Sequence, residues 1–138
     1  MNKQTITIDT IVQAPIEKVW QCWSEPEHIT KWCHASDDWE APHAESDLRV
    51  GGRFMTRMQA KDGSEGFDFN GRYTDVRDQE LVAYDIEGGR HVVITFTEMP
   101  EGVKVTETFD PEDINSADLQ RSGWQAILDN FKTYTESV

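Results

Sequence analysis

The sequence predicts an α+β domain: a curved antiparallel sheet wrapped around a long C-terminal helix, with two short helices after the first strand. Three observations predict it. From Asn115 to Glu136, the residues Leu119, Trp124, Ile127, Leu128, Phe131 and Tyr134 recur at three- and four-residue steps, the period of a helix with one apolar face. Most segments between the two ends alternate apolar and polar residues and are separated by short turns, which suits an antiparallel meander. No strand–helix–strand rhythm is present, so the amphipathic strands need one covering element, and the final helix is the best cover.

Each element has its own reason. Gln4 to Val12 sets Ile6, Ile8, Thr10 and Val12 against Thr5, Thr7, Asp9 and Ile11, a strand with one apolar face. Pro15 can open a helix whose apolar side is Ile16, Val19, Trp20 and Trp23, and Glu17 complements its start. Ser24 and Glu27 are spaced as a capping box for a second short helix, Glu25 to Trp32, with Pro26 in its first turn. Cys33 to Ser46 lacks clear periodicity and reads as a loop with one short strand at most. Val50-Gly51-Gly52 marks a tight turn or bulge before a strand from Arg53 to Gln59.

On the next strand Phe67, Phe69 and Tyr73 share a face, and Gly71 leaves a gap between them. A further strand, Leu81 to Glu87, meets His91 to Thr97 through a Gly88-Gly89 hairpin. Val103 to Phe109 carries Val103, Val105 and Glu107 on one face and Lys104, Thr106 and Thr108 on the other. Asp110 to Asp113 then delivers the final helix, for which Asn115 is the expected cap and Ile114 with Leu119 the expected staple. Glycines and bulges are where the inward phase can slip, so Gly71 and the Gly51-Gly52 pair are the expected places for an error.

The chain has 138 residues, enough for one domain with a real core spanning 1–138. Its net charge of -13 repels phosphate and argues against nucleic acid or an anionic membrane surface as partner. Two cysteines, Cys22 and Cys33, make no disulfide framework. No apolar stretch follows a basic start and nothing approaches a spanning run, so the expectation is a cytoplasmic protein without membrane insertion.

Three short stretches carry a family resemblance. Ala14-Pro15, Val19-Trp20, Trp23, Pro26, Ile29 and Trp32 resemble the opening of the START-like (SRPBCC) superfamily, in its branch related to the activator of Hsp90 ATPase. Asp47-Leu48-Arg49-Val50-Gly51-Gly52-Arg53-Phe54 resembles the second signature of that branch, and Ser122-Gly123-Trp124 its third. The resemblance spans nearly the whole chain. It implies the helix-grip fold, often with a cavity between sheet and helix, in a branch that is often bacterial. It implies no universal catalytic residue, because relatives include lipid carriers, hormone-binding proteins, aromatases and cyclases, and co-chaperone domains. Trp32-Cys33 stands where members often carry two aromatics, a departure that alters the mouth region.

By alternation, Phe67, Phe69, Tyr73, Val92, Ile94 and Phe96 face the helix, which answers with Trp124, Ile127, Leu128 and Phe131. Trp32, Trp39 and Phe54 would close the entrance. Such a lining suits a small apolar or aromatic molecule, lipid-like or polyketide-like, with Tyr73, His91 and Trp124 as candidate polar contacts. Aromatics also fill cores, so simple packing competes with this reading at every position. His91 falls opposite Val92, which weakens its claim.

Other chemistry has less support. Cys22, His28, Cys33 and His34 have zinc-ligand types but lack the paired Cys-x-x-Cys spacing, so no metal and no cofactor is expected. Cys33 with His34 or His91 offers a nucleophile and a base, but no orienting carboxylate is identifiable. His91, Tyr73, Asp68, Asp85 and Glu107 are available for acid–base work, and a strand carboxylate alternating outward is usually a solvated face. The leading expectation is therefore a non-catalytic binding domain. A cyclase- or aromatase-type enzyme using Tyr73 and His91 is the first rival. A protein-interaction role resembling the co-chaperone domains is the second, with the acidic surface steering a basic partner.

Overall fold

Alternation at the start of the chain produces strand β1 (Ile6–Val12), with Ile6, Ile8 and Val12 buried. The structure, a computed structural model, describes residues 5–86 and 88–138. Gln4 and Glu87, expected to belong to strands, lie outside the described residues. Helices α1 (Ile16–Ser24) and α2 (Pro26–Trp32) follow. The expected capping box does not form. Ser24 closes α1 instead, donating from its hydroxyl to the Trp20 carbonyl at 2.6 Å, and Glu25 precedes α2. The segment read mostly as loop contains a full strand, β2 (Trp39–Ser46). Its alternation is obscured because it is an edge strand with a register shift between Glu40 and His43.

Five more strands complete one antiparallel sheet: β3 (Arg53–Ala60), β4 (Gly66–Arg77), β5 (Leu81–Ile86), β6 (Arg90–Met99) and β7 (Gly102–Phe109). The order is β1-β7-β6-β5-β4-β3-β2, so a simple meander is closed by returning the last strand to the first. The inward phase slips between Tyr73 and Asp75, not at Gly71. Gly71 has a different reason: a Cβ there would run into the Asp85 carbonyl and the Phe54 ring. Gly51 adopts φ +85° in the turn before β3, and the adjacent Gly52 has no room for a side chain beside the Asp47 carbonyl.

Helix α3 (Ala117–Ser137) lies in the concave side of the curved sheet. Its cap is Ser116, whose hydroxyl accepts from the Leu119 amide at 3.1 Å; Asn115 turns away to Glu112. The expected staple is absent, since Ile114 and Leu119 are both exposed. Leu128 and Phe131 are fully buried and meet Ile94, Val105 and Phe109 in the core. Each such burial stabilises by roughly 1.5–3 kcal/mol.

The same helix protects the free edge of β1. Arg121, Gln125 and Lys132 donate to the carbonyls of Thr7, Asp9 and Ile11 at 2.9, 3.3 and 2.7 Å. These carbonyls point away from β7 and would otherwise offer a pairing edge. No described helix is long and apolar enough to cross a membrane.

Candidate functional site

The curved sheet and α3 do not close completely on each other. Between them remains a chamber of about 470 Å³. Trp23, Trp32 and Cys33 bound it from the two short helices, and Met58, Phe67, Phe69 and Tyr84 from β3, β4 and β5. Gly123, Trp124 and Ile127 bound it from α3. Phe69 and Trp124 approach edge to face across it, with centroids 6.2 Å apart. A Cβ on Gly123 would meet open space, so the bare helix surface at this position is part of the wall. A second hollow, about 650 Å³, lies open on the outward side of the sheet among Glu45, Arg53, Asn70, Arg72 and Asp85. It is more open, and charged side chains share its lining with Phe54, Met55 and Ile86, whereas the chamber is aromatic and partly enclosed.

The expected lining divides into two groups. Trp32, Phe67, Phe69, Trp124 and Ile127 reach the chamber. Val92, Ile94, Leu128 and Phe131 are wholly buried and form the packed floor beneath it. Phe96 packs on Trp20 and Trp23. Phe54 and Tyr73 stack behind Tyr84, while Trp39 leans on Phe67 near the mouth. Trp32 is fixed by its ring N–H, which donates to the Cys22 carbonyl at 2.8 Å, and by Phe131 at 4.9 Å between centroids.

The polar contacts differ from those expected. The Tyr73 hydroxyl is engaged with Ser46 Oγ at 2.7 Å. His91 faces solvent and shares a 2.6 Å hydrogen bond with Asp85. Trp124 stacks on Phe109. Glu107 is the group that sequence reasoning undervalued: it is only 6% exposed and lies on the chamber wall. Its phase with Val103 and Val105 was the available signal. Burial pushes its carboxyl up to about 8, with no hydrogen bond or cation offsetting it. Tyr84, in phase with Val82 and Ile86, is its neighbour, and burial followed by the Glu107 charge holds its hydroxyl well above the ordinary value. Cys33, also close to Glu107, is pushed up to about 12 by burial, the reverse of what a nucleophile needs.

At the mouth, Gln120 ties the loop before α3 to the helix. Its amide nitrogen donates to the Asn115 carbonyl at 2.9 Å, and its oxygen accepts from the Glu112 amide at 2.8 Å. The four zinc-type candidates do not converge. Cys22 is buried in the core and His28 bonds the Tyr134 hydroxyl at 2.6 Å. Among the described residues the grouping close enough for a metal is Glu25, Glu27 and His28, which lies apart from the chamber lining.

This architecture has known counterparts. The family model described as Activator of Hsp90 ATPase homolog 1-like protein matches residues 13–136. The chain belongs to this family. A solution structure of an AHSA1-like protein from Aeromonas hydrophila is 43% identical, with 97% of this chain and 93% of that one covered and a TM-score of 0.92. A solution structure from Cytophaga hutchinsonii is 51% identical over 99% of this chain and 94% of that one, with a TM-score of 0.80. A crystal structure from Chromobacterium violaceum, 22% identical over 96% and 98% with a TM-score of 0.83, shares the fold. No curated protein matches. The AHSA1-like, helix-grip architecture read from the three signatures is thus shown, and folds of this kind commonly bind hydrophobic ligands.

Proposed function

We propose that the chain binds a small apolar or aromatic molecule in the chamber between the sheet and α3. The observation that carries this reading is the partly enclosed volume of about 470 Å³ walled by Trp32, Phe69, Tyr84 and Trp124. That size and lining fall within the range of small-molecule sites. The cyclase reading built on Tyr73 and His91 has less support, because these two are engaged elsewhere with Ser46 and Asp85; of the residues first considered for acid–base work, Glu107 lies on the chamber wall.

The test is an amide-shift titration of the full chain with a panel of lipid-like and aromatic compounds. Shifts clustered at Phe69, Tyr84, Gly123 and Trp124 are expected. Gly123→Leu would project a side chain into the open space at that position. It should keep the fold and remove the binding. A panel that shifts none of these amides would sink the proposal, as would a compound bound equally well by Gly123→Leu.

A further inference from the structure

Besides the polar groups at its mouth, the chamber has a polar inner end. Glu107 on β7, Tyr84 on β5 and Cys33 after α2 bring three protic groups to its inner wall, and the Glu107 charge is felt at both of the others. None of the three has a hydrogen bond offsetting its burial. The strands and the helix that flank Glu107 present apolar residues. Its antiparallel partners are Ile8 on β1 and Ile94 on β6, and α3 presents Trp124 and Ile127 to the chamber. Tyr73 lies behind Tyr84 and is engaged with Ser46. Arg90 and Glu112 are the other charged groups that bound the chamber.

We propose that this end is a hydrogen-bond-donor pole, and that the ligand is a flat apolar molecule whose carbonyl oxygen sits between the Glu107 carboxyl and the Tyr84 hydroxyl. This inference rests on the chamber reading above and adds the ligand's polar group. The physical reason is donor counting. A buried protonated carboxyl and a phenol each carry one proton to donate, and a carbonyl oxygen has two lone pairs to receive them. A ligand oxygen that pairs both donors gains more than its apolar area alone provides. An acid held neutral by apolar surroundings beside a tyrosine is suited to grip a ligand oxygen. Burial keeps Glu107 mostly protonated at neutral pH, the state that donation requires. A bound ammonium would require the ionised state instead.

Three naphthalenes of similar shape test this on the full chain: acetylnaphthalene, isopropylnaphthalene and naphthylethylamine. The ketone is expected to bind about tenfold more tightly than the hydrocarbon near pH 6, the worth of one to two neutral hydrogen bonds. That advantage should fade as pH rises through about 8, where the donor proton is lost. Glu107→Leu and, separately, Tyr84→Phe should each remove much of the ketone-over-hydrocarbon preference, read as the ratio of the two affinities in the same variant. The ketone's carbonyl stretch should move to lower frequency in the wild-type complex and less in either variant.

Equal binding of ketone and hydrocarbon, insensitive to pH and to both substitutions, would overturn the donor pole and leave the chamber reading standing. Preferential binding of the amine, strengthening above pH 8, would overturn it in favour of a cation site. Binding of none of the three would overturn the pole together with the chamber reading.

Discussion

Phe109 and Trp124 lie face to face, their ring centroids 3.8 Å apart and their planes 10° from parallel. Phe109 is the last residue of β7 and is fully buried. The stack therefore fixes where α3 begins its passage over the sheet, and it sets one wall of the chamber. Replacing Trp124 by Ala should cost about 3 kcal/mol, the sum of lost burial and an unfilled gap. Trp124→Phe should recover part of that. Urea unfolding checks both: the midpoint should fall with little change in slope.

Glu107 makes the stability of the fold fall as pH rises from about 4.5 to about 8. Its carboxyl ordinarily titrates at 4.5 and is pushed up to about 8 in the folded chain by burial. A raised folded value means that the unfolded chain releases this proton first as pH rises. Stability is therefore complete below about 4.5 and declines until pH passes about 8. A shift of this size corresponds to a loss on the order of 5 kcal/mol across the window. Glu107→Gln should flatten that decline, so the variant should be close to wild type near pH 4 and more stable near pH 8. Thermal unfolding across this range measures it, and parallel curves for the two proteins would contradict the account.

Much of this fold was legible because periodicity reports burial. The faces of β1, β6 and β7 and the apolar side of α3 follow directly from alternation or helical spacing. The failures have local causes. Ser24 was read as the start of a helix because a serine hydroxyl can cap either forward or backward, and here it bonds back to Trp20. Strand β2 was read as a loop with one short strand at most because Ala41 is its one buried residue and its register shifts after Glu40. The chamber lining was half legible. Alternation finds every inward residue but cannot separate Ile94, sealed in the floor, from Phe69, which reaches the open volume. Glu107 was in phase with two valines, and only the structure shows that it lies on the wall of the chamber.

Thr135 offers a small correction to the core. It is completely buried on α3, and its hydroxyl has no hydrogen-bond partner of ordinary geometry although it faces the Cys22 thiol. An unpaired buried hydroxyl costs free energy that a methyl group does not. Thr135→Val should stabilise the protein by about 1 kcal/mol, while Thr135→Ala should gain less because it leaves a void. The order Val above Ala above Thr in unfolding midpoint is the expected result. A loss of stability in the Val variant would mean that the thiol contact satisfies the hydroxyl after all.

At the end of β1, α3 clamps the strand edge. Lys132 Nζ reaches the Ile11 carbonyl at 2.7 Å and Glu136 at 2.6 Å, and the same Glu136 oxygen accepts from the Gln13 amide at 2.7 Å. The Gln13 amide and then Lys132 hold the Glu136 carboxyl below its ordinary 4.5. A lowered folded value means that the stabilisation is present above about 4.5 and is lost as pH falls through the folded value. Lys132→Met keeps the aliphatic stem but removes both charge-assisted bonds. Its expected cost near neutral pH is about 1 kcal/mol, reduced from a buried pair's worth because both side chains are partly solvated. Hydrogen exchange at the Gln13 amide should quicken in this variant more than exchange in β6, which lies in the interior of the sheet. Acidification should then narrow the gap between wild type and variant, since protonated Glu136 loses its charge-assisted bond to Lys132 while the Lys132 bond to the Ile11 carbonyl remains. A difference that persists unchanged at low pH would assign the effect to packing of the lysine stem instead.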